Sequence, residues 1–223
     1  MPGRKYKIAI VEDHRGIAES IGEIINGESD MTYCGFATDI NGGLDLIQKE
    51  KPDLVIVDIS LKNNELGTTL IGEIRKYFTS IRILVYTMHD NVIHLDTALK
   101  AGANGYILKE ESLDDLFIAV RGVLGGDTYV SEIMKKKYSD WIISRRSGES
   151  KDIVNILAPR ELEIFSYIGD GVTTSEIAKV LGISVNTVNS HVNRIKDKLG
   201  FKTKSGLMKY AFNYLKETSD KKM

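Results

Sequence analysis

The run Leu54-Val55-Ile56-Val57-Asp58 joins four consecutive apolar residues to a carboxylate. Two similar runs occur elsewhere, Ile8-Ala9-Ile10-Val11-Glu12-Asp13 and Gly105-Tyr106-Ile107-Leu108-Lys109. Short, uninterrupted apolar runs of this kind are typical of strands that are buried on both faces of a parallel sheet. The sequence therefore predicts several buried strands, each of which ends in a polar residue.

Stretches with helical spacing separate these apolar runs. Ile17, Ile21, Ile24 and Ile25 form one apolar stripe, and Ser112 has the position of an N-cap before a later helix. Strands that alternate with helices pair in parallel and form an open sheet covered on both faces. We therefore predict an α/β domain in roughly the first 125 residues. Its five predicted strands are Ile8–Val11, Met31–Ala37, Leu54–Ile59, Ile81–Thr87 and Gly105–Leu108.

Open parallel sheets bind ligands beyond the carboxyl ends of their strands. Five polar side chains are predicted at that edge: Glu12, Asp13, Asp58, Thr87 and Lys109. Three carboxylates repel one another and need a cation, and an all-oxygen set of ligands favours Mg²⁺. An ionised aspartate beside Mg²⁺ is a nucleophile towards a phosphoryl group, whose oxygens a lysine and a hydroxyl can stabilise. The sequence thus predicts a site that forms an aspartyl phosphate.

This pattern, over residues 7 to 125, resembles the receiver domain of two-component response regulators, which has a five-stranded, flavodoxin-like fold. The resemblance implies these site residues: Asp58 as phosphoacceptor, Lys109 and Thr87 as its catalytic partners, Thr87 and Tyr106 as the switch, and Glu12, Asp13, Asp58 and the Ser60 backbone carbonyl as ligands of Mg²⁺. It also places the side chains of Ser60 and His89 where the family tunes loss of the phosphoryl group. One departure from the family lies in the loop after Asp58, where Lys62 replaces a common proline and is followed by Asn63 and Asn64.

The last third of the chain has a different apolar period and a different charge. From residue 153 onward, 11 Lys and Arg oppose 7 Asp and Glu, a net charge of +4 in a chain whose total is −1. Thr173-x-x-Glu176 fits a capping box that opens a short helix, and Gly182 ends that helix. Ser184 then caps a longer helix over Val185 to Leu199. A short helix, a glycine turn and a longer helix predict a helix-turn-helix on a basic domain, which favours nucleic-acid binding.

The longer helix carries a polar face rich in asparagine, a side chain that can make paired contacts to adenine, and it ends in lysines and an arginine that suit phosphates or guanine. The run from Leu157-Ala158-Pro159-Arg160-Glu161 to Lys198-Leu199-Gly200 resembles the LuxR-type DNA-binding domain, with Ala158 and Asn189 where the family usually has Thr and often has Lys. With the receiver, the resemblance is to NarL/FixJ-type response regulators. The predicted DNA-binding residues are Thr174, Asn186, Thr187, Asn189, Ser190, Asn193, Arg194, Lys196 and Lys198.

We predict a receiver domain over residues 1–127, a linker over 128–152, and an all-α helix-turn-helix domain over 153–223. Within the linker, a short helix is expected from Ser131 to Ile143 and a flexible segment from Ser144 to Ser150. Trp141 is expected to pack against one of the domains. Dimer contacts are expected from Ser205–Tyr214 and from the phosphorylated receiver.

Composition excludes several other classes of protein. A single cysteine, Cys34, rules out an intrachain disulfide framework and leaves a cysteine-based zinc site without ligands. The first residues lack the apolar core of a secretory signal, and the apolar runs are far shorter than the ~20 residues of a membrane helix. We therefore expect a cytoplasmic protein that does not enter the membrane.

The function predicted from these observations is a DNA-binding response regulator rather than an enzyme. Its expected partners are DNA, a sensor histidine kinase, RNA polymerase and a second copy of the chain when phosphorylated, and its cofactor is Mg²⁺. One alternative is an aspartate-nucleophile phosphohydrolase, although such enzymes typically carry a second Asp where this chain has Ser60. Another is a phosphate-independent DNA binder with a degenerate receiver, against which the intact set of five pocket residues counts.

Overall fold

The structure is a computed structural model that describes residues 4–61, 66–147 and 153–220. The chain divides into two compact units, one formed by Met1–His89 with Ala98–Ser131 and the other by Asp90–Thr97 with Glu132–Met223. Among the described helices, none is both long enough and apolar enough to cross a membrane. The expectations for Lys62, Asn63 and Asn64 and for the packing of the Trp141 side chain lie outside what the structure describes.

The first unit is built on a parallel sheet in the order β2-β1-β3-β4-β5-β6. All five predicted strands are present, and the α/β prediction is confirmed. The predicted number of strands was one too low, because the two residues of β6 pair with β5 and are too few to show an apolar pattern. The strands are β1 (Tyr6–Val11), β2 (Met31–Ala37), β3 (Leu54–Val57), β4 (Arg82–Thr87), β5 (Gly105–Leu108) and β6 (Tyr129–Val130).

Helices cover both faces of this sheet because alternate strand residues point to opposite sides. The helices of this unit are α1 (Arg15–Gly27), α2 (Ile40–Glu50), α3 (Gly67–Tyr77) and α5 (Leu113–Gly125), whereas α4 (Val92–Ala101) is divided between the two units after Thr97. Ile8, Ile10 and Ile56 face α1 and α5 in one apolar cluster. Val11 points to the other face, where α2 and α3 contact each other. Ser112 caps α5 as predicted, since its hydroxyl accepts a hydrogen bond from the Asp115 N–H at 3.2 Å.

Gly67, the first residue of α3, lets that helix begin directly against the end of β3. A Cβ at this position would lie 2.0 Å from the backbone oxygen of Asp58, far inside van der Waals contact. The Gly67 N–H instead donates to the Ile59 carbonyl at 2.7 Å. Only glycine therefore allows residue 67 to lie this close to the backbone that carries Asp58.

At the opposite edge of the sheet, the Arg75 guanidinium of α3 joins the loops before β4 and β5. It donates to the backbone carbonyls of Gly102 at 2.8 Å and Ile81 at 2.7 Å, and to the side chain of Asn104 at 2.7 Å. The Asn104 amide oxygen also accepts from the Ile83 N–H at 3.0 Å. This planar, branched donor therefore aligns the starts of β4 and β5, the two strands that carry Thr87 and Lys109 at their other ends.

We predict that Arg75→Lys loosens this edge, because a lysine cannot supply the three divergent donors of a guanidinium. The loss of these hydrogen bonds should lower the free energy of opening this edge by about 1.5–3 kcal/mol. The β4 and β5 amides should then exchange at least about tenfold faster in hydrogen-exchange mass spectrometry. Lys76→Arg on the same turn is the control, since Lys76 only reaches Glu73 at the surface. Unchanged exchange in Arg75→Lys would contradict this role.

The second unit consists mainly of helices from residue 132 onward. Its helices are α6 (Glu132–Ser147), α7 (Ile153–Ile156), α8 (Pro159–Gly169), α9 (Thr174–Val180), α10 (Val185–Leu199) and α11 (Lys204–Asp220). The prediction of a flexible segment was wrong for residues 144–147, which continue α6. The last four residues of α6, Ser144-Arg145-Arg146-Ser147, include no apolar residue, so their helical form is not visible as periodicity.

Segment Asp90–Thr97 belongs to the second unit through contacts with α6 and α8. The Lys137 ammonium bonds to the Asp90 carboxylate, and the Tyr138 hydroxyl lies 3.0 Å from an Asp96 carboxylate oxygen. The buried imidazole of His94 has its Nε2 atom 3.0 Å from a carboxylate oxygen of Asp170. These polar contacts explain why the residues at the start of α4 group with this unit.

Candidate functional site

Three side chains from the ends of different strands meet at the carboxyl edge of the sheet. Lys109, after β5, lies with Nζ 2.5 Å from Oε2 of Glu12 and 2.6 Å from Oδ2 of Asp58. All three side chains are buried, with at most 7% of each exposed. Glu12 follows β1 and Asp58 follows β3, so the parallel sheet brings together residues that lie up to 97 positions apart. This cluster and its immediate neighbours are the pocket.

The charges of this pocket do not balance. Burial favours the neutral amine, but the carboxylates of Asp58 and Glu12 raise the pKa of Lys109 above its ordinary value of 10.5, so that it is an ammonium ion at neutral pH. Burial is the main reason why the pKa of Glu12 is raised, the hydrogen bond from Lys109 lowers it in part, and the charge of Asp58 adds to the rise. One ammonium therefore faces three carboxylates, because Asp13 stands beside Glu12.

A carboxylate oxygen of Asp13 is placed to bind a cation that would offset the excess negative charge. Its Oδ1 atom is buried and accepts no hydrogen bond among the described residues, although Nδ1 of His14 lies 2.8 Å away. A buried carboxylate oxygen is costly without a donor or a cation, and besides the His14 imidazole a cation could bind this one. The donor set of Glu12, Asp13 and Asp58 consists of oxygen atoms and carries negative charge, so these residues fit Mg²⁺.

The hydroxyl of Thr87 and the ring of Tyr106 are connected through the backbone of His89. The His89 N–H donates to Oγ1 of Thr87 at 3.3 Å, and the Tyr106 hydroxyl donates to the His89 carbonyl at 2.5 Å. Both Thr87 and Tyr106 are fully buried. The two residues predicted as a switch are thus linked by one peptide segment.

The mouth of the pocket contains two residues whose contact the sequence does not reveal. Oγ of Ser60 lies 2.7 Å from Nε2 of His89, which joins the loops after β3 and β4. A cleft of about 490 Å³ opens here and is lined by His14, Ile17, Asp58, Ser60, Tyr86, Thr87, Met88, His89 and Lys109. Sequence reasoning missed His14 as a pocket residue, although its position directly after the acidic pair was a usable signal.

In the second unit, α9 and α10 form the predicted helix-turn-helix. The Thr173 hydroxyl accepts from the Glu176 N–H at 3.3 Å, and Ser184 accepts from the Thr187 N–H at 3.0 Å, so both predicted caps are confirmed. Gly182 lies between them with φ of +62°, a conformation that glycine adopts without strain. On the inner face of α10, Val188, Val192 and Ile195 are buried.

Most of the predicted DNA-binding residues lie on the outer face of α10 and are exposed, namely Asn186, Thr187, Asn189, Ser190, Asn193, Arg194 and Lys198. Thr174 and Lys196 are half-buried. Some of these side chains already have partners. The Ser190 hydroxyl donates to the Asn186 carbonyl at 2.9 Å, and the Thr187 hydroxyl lies 2.8 Å from that of Ser184.

Lys198 also has a partner inside the unit. Its Nζ lies 2.6 Å from Oε2 of Glu161, a buried carboxylate near the start of α8. The same oxygen accepts from the Ala158 N–H at 2.8 Å. Ala158 has no side chain with which to cap α8, so Glu161 supplies only half of a capping box and Lys198 neutralises its charge.

Comparison with known proteins identifies both parts of this arrangement. The family model for the response regulator receiver domain matches residues 8–121, and the model for bacterial regulatory proteins of the luxR family matches residues 155–211. The chain is a response regulator of the NarL/FixJ type. Response regulators of this type are phosphorylated by sensor kinases and bind DNA through the LuxR-type domain.

Relatives of this response regulator match most of its length. The oxygen regulatory protein NreC of Staphylococcus haemolyticus is 35% identical over 214 residues, which cover 92% of this chain and 96% of the relative. NreC of Staphylococcus aureus strain MRSA252 is 34% identical over 208 residues, with the same coverage. The structure of RcsB from Salmonella enterica serovar Typhimurium, bound to a promoter with the phosphomimetic BeF₃⁻, has a TM-score of 0.68 at 25% identity and covers 93% of this chain and 98% of that one.

We predict that Glu161→Gln destabilises the DNA-binding domain of the response regulator by about 1–3 kcal/mol at neutral pH, because it removes the charge that holds Lys198 and the Ala158 N–H. Burial would raise the pKa of Glu161, but the hydrogen bonds from Lys198 and Ala158 lower it below 4.5. The stability contributed by a carboxylate with a lowered pKa is complete above pH 4.5 and is lost as the pH falls through the folded-state pKa.

The difference in unfolding free energy between wild type and Glu161→Gln should therefore disappear at low pH in urea titrations. Glu163→Gln is the matched control, because Glu163 makes only a partly exposed pair with Arg160. Equal losses in the two variants, or a loss in Glu161→Gln that does not shrink as the pH falls, would contradict the assignment.

Proposed function

We propose that Asp58 is the phosphoacceptor of this response regulator and that Glu12, Asp13, Asp58 and the backbone carbonyl of Ser60 hold Mg²⁺. The observation that carries the proposal is the position of Lys109, whose ammonium touches Glu12 and Asp58 in a pocket that still has excess negative charge. When bound, Mg²⁺ would supply positive charge against the phosphoryl oxygens. This cation would also remove the repulsion among the three carboxylates.

The reaction proposed for this site is transfer of a phosphoryl group from the phosphohistidine of a sensor kinase. A carboxylate oxygen of Asp58 forms the new bond to phosphorus, while the P–N bond of the donor breaks and its electron pair leaves with the imidazole. Lys109 offers its ammonium to the transferred oxygens, and the Thr87 hydroxyl donates to one of them. The receiver thereby assists its own phosphorylation and, with water as the acceptor, its dephosphorylation.

The switch that we propose starts at Thr87. When its hydroxyl turns towards the new phosphoryl group, the bond from the His89 N–H must change, and the His89 carbonyl is the acceptor for Tyr106. The added charge thus reaches an aromatic side chain through a single residue. Two alternative arrangements of this connection would give the receiver two conformations with different surfaces. Phosphorylation would shift the equilibrium between them.

The output that we propose is a phosphorylated homodimer on a two-fold DNA operator, which acts on transcription in the cytoplasm with RNA polymerase as a candidate partner. The proposed DNA contacts are Thr174, Asn186, Thr187, Asn189, Ser190, Asn193, Arg194, Lys196 and Lys198. Dimer contacts within Ser205–Tyr214 are supported by exposed apolar residues of α11, since Phe212 is 57% and Met208 38% exposed. The family matches at residues 8–121 and 155–211 support the proposed domains at 1–127 and 153–223, joined by residues 128–152.

The phosphoacceptor can be tested by comparing Asp58 with Asp53, an aspartate at the opposite end of β3. Treatment with acetyl phosphate and Mg²⁺ should add the mass of one phosphoryl group to the wild type and none to Asp58→Asn. Asp53→Asn is the control, because Asp53 lies at the other end of β3, where it binds Arg4 and the Lys7 N–H. Asp53→Asn should gain mass like the wild type, and an equal gain in Asp58→Asn would refute the assignment.

The metal site can be tested without phosphorylation. A cation that binds only the folded receiver stabilises it by about 1.4 kcal/mol at ten times its Kd, so Mg²⁺ should raise the thermal midpoint of the wild type. Asp13→Asn should lose this rise, whereas Asp45→Asn on the exposed side of α2 should keep it. A rise that is equal in Asp13→Asn, or that is reproduced by K⁺ at the same ionic strength, would contradict the site.

A further inference from the structure

The outer face of α10 combines free amides with hydroxyls that already have partners. The hydroxyls of Ser190, Thr187 and Ser184 all make hydrogen bonds within the helix or its cap. In the described part of the chain, no hydrogen bond occupies the side-chain amide of Asn186, Asn189 or Asn193, and all three residues are exposed. These three residues are the amide row.

The amide row lies on one side of the helix and spans a short length of DNA. Residues at i, i+3 and i+7 point in similar directions, and the buried Val188 and Val192 mark the opposite side. Seven residues of α-helix are about 10 Å long, which is roughly the length of three base pairs. The row can therefore reach neighbouring base pairs in one major groove.

The charged side chains of α10 come after the amide row in the sequence. Residues 185–193 contain no Lys, Arg, Asp or Glu, whereas Arg194 and Lys196 follow directly. Lys198, the next cation, is held by Glu161. The first half of α10 thus offers neutral donors and acceptors, and the cations that suit phosphates lie in its second half.

We propose that the amide row reads adenine, so that each half-site of the operator contains at least two A·T pairs within about four base pairs. An asparagine amide presents one donor and one acceptor, which match N7 and the N6 amino group of adenine. Guanine presents two acceptors in the major groove, which suit the side chains of Arg and Lys better than the donor–acceptor pair of an amide, and residues 185–193 contain neither Arg nor Lys. This inference rests on the proposed DNA-binding function and specifies the bases that it recognises.

The experiment is selection of binding sites from a random DNA library by the full chain, treated with acetyl phosphate and Mg²⁺. The selected half-sites should share adenines at two or more positions within a four-base-pair window. Replacing one such adenine by 7-deazaadenine, which lacks the N7 acceptor, should weaken binding by about 5- to 150-fold. The same replacement outside the window should have no effect.

Single substitutions test which residues determine the preference for adenine. Asn189→Ala and Asn193→Ala should relax the preference for adenine at different positions without changing the slope of affinity against salt concentration. Arg194→Ala should lower that slope by about one and keep the base preference. Asn41→Ala, an exposed asparagine of the receiver, is the matched control and should change neither.

The outcomes separate this inference from the function on which it rests. Strong selection of sites without shared adenines, or full tolerance of 7-deazaadenine, would overturn adenine reading while leaving DNA binding intact. Unchanged base preference in both asparagine variants would also overturn it. Binding with no sequence preference at any position would overturn both proposals.

Discussion

The contact of one ammonium with two buried carboxylates holds the receiver pocket together. Without Lys109, Glu12 and Asp58 would face each other as like charges in a region from which water is largely excluded, and such an arrangement is costly. With Lys109, two of the three carboxylates are neutralised only in part, and the remaining charge favours a cation. The same interaction therefore offsets the repulsion between the buried carboxylates, and in our proposal it leaves the negative charge that a metal ion would bind.

The surrounding fold serves to place this contact. Parallel strands bring the residues after β1, β3 and β5 to one edge, and Gly67 lets α3 close against the backbone of Asp58. Arg75 aligns the starts of β4 and β5 at the far edge, so the registers of the strands that carry Thr87 and Lys109 are set from their opposite ends. Chemistry at one edge of the sheet thus depends on hydrogen bonds at the other.

Local patterns in the sequence predicted the strands, the caps and the set of pocket residues, because apolar period and strand ends are local properties. Contacts between distant loops were not predictable in this way. The bond between Ser60 and His89 joins residues 29 positions apart, and the pair of Lys198 with Glu161 joins residues 37 positions apart. Neither leaves a periodic trace, and the second shows that a lysine proposed to contact DNA also neutralises the buried Glu161 of α8. The two-residue strand β6 and the polar end of α6 were missed because neither carries an apolar pattern.

The central claim is that a phosphoryl group on Asp58 controls DNA binding by the distant helix-turn-helix. The most direct measurement is the dissociation constant for a selected operator before and after treatment with acetyl phosphate and Mg²⁺, in wild type and in Asp58→Asn. Coupling between two sites is typically worth about 5- to 150-fold in affinity, so phosphorylation should tighten wild-type binding by at least about fivefold and leave Asp58→Asn unchanged. An equal change in both proteins, or none in the fully phosphorylated wild type, would contradict the account.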